Sequence, residues 1–80
     1  MNIAAIKALV ETYDDHQLQQ AEAALMEGNV PEITIQGEDE GEQLTHVLAA
    51  LWVIQNMKST DDDLMTSIRA YTKRVRTSIS

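Results

Sequence analysis

Cysteine is absent from the 80 residues. Disulfides, zinc sites built on thiolates and cysteine nucleophiles are therefore excluded. Long apolar runs are absent too. The longest, Val47 to Ile54, is eight residues, far short of the roughly 20 that a membrane-spanning helix needs. The opening Met-Asn-Ile-Ala-Ala-Ile-Lys lacks the basic region, apolar stretch and cleavage site of a secretory signal, so a soluble cytoplasmic protein is expected. No Gly-x-Ser-x-Gly elbow surrounds any serine, and no phosphate-binding glycine pattern occurs. Basic residues are scarce: six Lys and Arg face thirteen Asp and Glu, a net charge of −7. That balance argues against nucleic acid and anionic membranes as partners.

The charge that is present is unevenly placed. Residues 1–66 hold all thirteen acids and only Lys7 and Lys58, a net of −11, whereas residues 67–80 hold Arg69, Lys73, Arg74 and Arg76 and no acid. A basic terminal helix thus follows an acidic body. A chain this short buries only roughly 60% of the surface its unfolded form exposes. Well-packed helices or oligomerisation must supply the missing stability.

The pattern predicts a mostly α, compact four-helix domain over residues 1–80, with one short β-strand between the second and third helices. The first helix is expected from the cap Asn2 to Glu11, with Ile3, Ile6, Leu9, Val10 and Tyr13 on one side. Asp14-Asp15 breaks it and caps a second helix, about His16 to Glu27, whose core stripe is Leu18, Ala21 and Leu25. Gly28 is placed to close that helix in a left-handed conformation. Glu32-Ile33-Thr34-Ile35-Gln36 alternates polar and β-branched apolar residues, the period of a half-buried strand. A loop from Gly37 to Gly41 leads to the third helix, about Glu42 to Lys58. One of its faces carries Leu44, Val47, Leu48, Leu51, Trp52 and Ile54, and a second carries His46, Ala50, Val53 and Met57. A helix apolar on both sides is buried on both sides. The first face, with Trp52, is expected to meet the chain's own core and the second to meet another subunit. Ser59 to Asp63 caps the fourth helix, with Thr60 and Asp63 in capping-box spacing. Its apolar stripe is Leu64, Met65, Ile68, Tyr71, Thr72, Val75 and Ile79.

A lone strand has two unpaired edges, so a homodimer is expected, its interface built from Ile33, Ile35, His46, Ala50, Val53 and Met57. The two strands would pair antiparallel across the two-fold axis. The acidic loop Glu38, Asp39 and Glu40, with Glu42 beyond it, presents oxygen ligands suited to a hard cation. Glu42 and His46, four apart on a helix, could share a metal. Against this, the loop lacks EF-hand spacing, and His16 is the only other histidine. No metal or other cofactor is therefore assigned, and the acidic loop with His46 is kept as the alternative ligand site. The basic patch Arg69, Lys73 and Arg76 is expected to face carboxylates of this same protein, Glu38 to Glu42 foremost, within or between chains. No catalytic constellation stands out, and a non-enzymatic protein-interaction or regulatory module is expected, binding itself and another protein.

The run Ile33-x-Ile35-x-Gly37-Glu38-Asp39-Glu40-Gly41-Glu42-Gln43-Leu44-Thr45-His46 and the closing Tyr71-Thr72-Lys73-Arg74-Val75-Arg76 carry a resemblance. On these residues the chain resembles a family of small uncharacterised bacterial proteins, of the domain-of-unknown-function kind. That resemblance covers most of the chain and implies no activity.

Overall fold

Each helix begins where a polar side chain can satisfy its first backbone N–H groups. The structure, a computed structural model, describes the backbone of residues 2–79 and the side chains of residues 2–77; Ile79, counted in the fourth stripe, has its side chain outside the described residues. Helix α1 is Ile3–Thr12, and the Asn2 carboxamide oxygen accepts from the N–H groups of Ala4 and Ala5 at 2.9 and 3.4 Å. Helix α2 is Asp15–Met26. It opens with a full capping box: Asp14 accepts from Gln17 N–H at 2.8 Å, and the Gln17 side chain accepts from Asp14 N–H at 3.1 Å. Its end is a Schellman closure, with Gly28 at φ +80° donating to Leu25 C=O and Asn29 donating to Ala24 C=O. As expected, Leu18, Ala21 and Leu25 are buried.

Helix α3 is Glu40–Thr60, 21 residues capped by Asp39, whose carboxylate accepts from Glu42 N–H at 2.8 Å. At 1.5 Å per residue it is about 31 Å long, the full length of a molecule measuring 32 × 28 × 18 Å. Helix α4 is Leu64–Ile79. Its cap is Asp63, which accepts from Thr66 N–H at 2.8 Å. Thr60 does not form the expected capping box with it. It still belongs to α3, where its hydroxyl donates to Asn56 C=O, and the chain turns at Asp61 with φ +62°.

Helices α1, α2 and α4 all pack on α3, and α1 also touches α4. This arrangement corrects the assignment of the second face of α3 to another subunit. His46, Ala50 and Val53, expected at a subunit interface, are buried with Val47 and Ala49 in the chain's own core. On the face expected to be core, Val47 is buried and Leu44, Leu51, Trp52 and Ile54 are half-buried against that core, while Leu48 is 44% exposed. The reason lies in side-chain size. Alanines and β-branched valines let neighbouring helices approach closely, and three helices of the same chain already surround α3.

The strand is also corrected. Among the described residues there is no β-strand: the chain bends at Glu32 and Ile33, then runs on through residues 34–37 without a ladder partner. Its burial does alternate, with Ile35 buried, Ile33 half-buried, and Glu32, Thr34 and Gln36 exposed. Its backbone groups find side chains instead of a second strand. Thr34 N–H donates to the Tyr13 hydroxyl at 3.3 Å, and Gln36 C=O lies 2.8 Å from His46 Nδ1. Gly37 then passes so close to α3 that a Cβ there would sit 2.9 Å from Gln43 N, and its φ of +152° suits glycine alone.

Candidate functional site

His46 is 1% exposed, and both ring nitrogens are used inside the chain. Asn2 N–H must donate, so Nε2, 3.0 Å away, accepts; the proton is on Nδ1, which donates to Gln36 C=O. The neutral ring thereby ties the start of α1 and the end of the 33–36 segment to the middle of the fold. No lone pair is left for a metal. The remaining members of the alternative ligand site do not converge on it. Glu38, Asp39 and Glu40 are exposed, Asp39 is occupied as the α3 cap, and Glu42 is half-buried in the first turn. Among the described residues no three His, Cys, Asp or Glu side chains are grouped as metal ligands.

The expected subunit interface is not assembled on the surface either. Ile35, His46, Ala50 and Val53 are buried within one chain, while Ile33 and Met57 are half-buried at separate places. Met57 borders a small cleft with Val10, Tyr13 and Lys58, next to the one close ion pair among the described side chains: Lys58 Nζ donates to Asp15 at 2.8 Å.

The basic patch is assembled. Arg69 and Lys73, one turn apart, and Arg76 beyond them are exposed along α4, where they border a groove of about 520 Å³ between α4 and the first turn of α1. Its floor is apolar: Ile3 is 43% exposed, Met65 is 42% exposed, and Ile68 lies buried beneath them. None of the three cations forms an ion pair with a carboxylate among the described residues, so the expected pairing with Glu38 to Glu42 does not occur within the chain. Ile3 and Met65, expected on the apolar sides of the first and fourth helices, line this groove. Met65 could have been found from spacing, since residues 65, 69, 73 and 76 follow one another at three- and four-residue steps on one side of a helix.

Two carboxyl groups depart from ordinary acidity, and both departures are structural. Asp15 is held low by the hydrogen bond and charge of Lys58. Asp63 is held low by the Thr66 N–H that it caps, with a smaller pull from Arg69. Neither faces a closed cavity in which an acid and a base could be separated. Among the described residues, no helix is long and apolar enough to cross a membrane.

Fold and groove together define a small all-α domain with a surface cleft. A model for a family of unknown function, DUF6952, matches residues 1–80, and the chain belongs to that family. No curated protein and no solved structure matches it.

Proposed function

We propose that this chain is a non-enzymatic protein-interaction module whose recognition surface is the groove between α1 and α4. The observation that carries this reading is an apolar floor beside cations that form no close ion pair among the described residues. Ile3 and Met65 lie open, with Ile68 buried beneath them, beside Arg69, Lys73 and Arg76, on a chain that is otherwise strongly acidic. Such a groove favours an apolar protein segment edged with carboxylates, because the rim attracts acids and repels other cations. Nucleic acid is a poorer match, since few cations border the groove and the net charge of −7 repels phosphate. A catalytic role has less support still, as the two shifted carboxylates serve a helix cap and an exposed ion pair. The metal reading loses its best ligand to the internal hydrogen bonds of His46.

Two labelled amphipathic helical peptides test the proposal by fluorescence polarisation. They share one pattern of leucines and differ only in carrying acidic or basic flanks. The acidic peptide is expected to bind with an affinity that falls as salt rises, and Met65→Glu is expected to abolish binding without unfolding the protein. Equal binding of both peptides, or of neither, would overturn the proposal.

A further inference from the structure

The groove has a counterpart on the same chain. Met26 and Val30, at the end of α2 and in the turn after it, are 70% and 91% exposed, more than any other large apolar side chain described. Val30 shares one cleft with Glu27 and Glu32, both exposed. Neither carboxylate forms an ion pair among the described residues. This corner complements the groove in charge: exposed apolar groups stand beside acids here, where the groove sets an apolar floor beside cations. Within one chain the two patches do not meet, for both remain exposed and no ion pair joins them among the described residues. Resting on the reading of the groove given above, we infer that its occupant is a second copy of this chain, which inserts the Met26–Val30 corner of one molecule into the α1/α4 groove of the next. A foreign acidic segment would account for the groove alone. A second copy uses both patches and relieves the exposure of Val30 and Met26. When two molecules engage reciprocally, the two contacts close a two-fold dimer, a form of support suited to a core this small.

Charge reversal tests the inference directly. One variant carries Arg69→Glu and Lys73→Glu in the groove, and the other carries Glu27→Lys and Glu32→Lys at the corner. All four positions are exposed, so far-UV circular dichroism and thermal midpoint should match the wild type. By analytical ultracentrifugation at low salt, the wild type is expected to associate with rising concentration, and high salt is expected to weaken it. Each variant alone should be weakened at least about tenfold, as like charges then meet. An equimolar mixture should recover association, since the reversed groove of one matches the reversed corner of the other. A wild type that stays at 8.9 kDa at every concentration, or a mixture that fails to recover, overturns the inference. If the acidic peptide still binds in that case, the groove remains an interaction surface with a different occupant. If no peptide binds either, both readings fall.

Discussion

Replacing His46 is the sharpest test of how this fold is held. The ring is 1% exposed and bridges Asn2 N–H at 3.0 Å and Gln36 C=O at 2.8 Å. Phenylalanine nearly conserves the volume and removes both bonds. Two neutral hydrogen bonds contribute about 0.5–1.5 kcal/mol each, so His46→Phe should cost about 1–3 kcal/mol. Alanine removes the volume as well, and the cavity should bring the total to about 3–5 kcal/mol. At about 0.05–0.15 kcal/mol per residue, an 80-residue domain has roughly 4–12 kcal/mol to lose. His46→Ala should therefore leave a population visibly unfolded, while His46→Phe stays folded with a lower midpoint. Urea titration followed by far-UV circular dichroism and by Trp52 fluorescence gives both values. The two probes should coincide if unfolding is two-state. A cost below about 0.5 kcal/mol for His46→Phe would show that the two bonds contribute nothing, and the bridging role would fail.

Two further outcomes follow from the backbone and the caps. At Gly37, a methyl group would meet Gln43 N at 2.9 Å from a φ of +152°, so Gly37→Ala should destabilise by about 1–3 kcal/mol. Gly41 lies inside the first turn of α3, where a Cβ meets nothing closer than Asp39 Oδ1 at 3.4 Å. There Gly41→Ala should be neutral or stabilising by up to about 1 kcal/mol, and denaturation midpoints of the pair decide the contrast. Asp15 and Asp63 are both held below the ordinary aspartate value of 3.8 in the folded chain. The stability they add is thus complete above that value and is lost as pH falls through their lower folded values. The double variant Asp15→Asn, Asp63→Asn should be less stable at neutral pH and should lose less on acidification, which thermal midpoints against pH would reveal; equal slopes would refute the assignment.

Most local signals of this chain are faithful, Thr60 excepted, and its larger misreadings are tertiary. Asn2, Asp14 and Gly28 act where the sequence places them, because a cap or a Schellman turn involves residues within six positions of each other. The alternation from Glu32 to Gln36 likewise reports which side chains face inward. It does not report what the backbone bonds to, and here Tyr13 and His46, 21 and 10 residues away, take the place of a strand. The two apolar faces of α3 correctly signal cover on more than one side. Whether the cover is another helix or another molecule depends on how α1 and α2 fold back, which no periodicity contains. The groove was half legible. Its cations and Met65 share a helical side, but Ile3 joins them only because α1 touches α4, more than 60 residues along the chain.

His46 connects these misreadings to the surface. On the sequence it looks like a ligand for the acidic loop, and in the fold its ligands are two backbone groups. One of them belongs to Asn2, the residue immediately before Ile3, and Ile3 is the α1 wall of the groove. The same Asn2 caps α1 through its side chain. Loss of the His46 bond would therefore free the cap and the first turn together, and the groove would lose a wall while Met65 and the three cations stayed on α4. A buried histidine with no exposed chemistry thus braces the residue that begins the α1 wall of the groove. Its proper test is whether His46→Phe, folded and only modestly destabilised, also weakens binding of the acidic peptide.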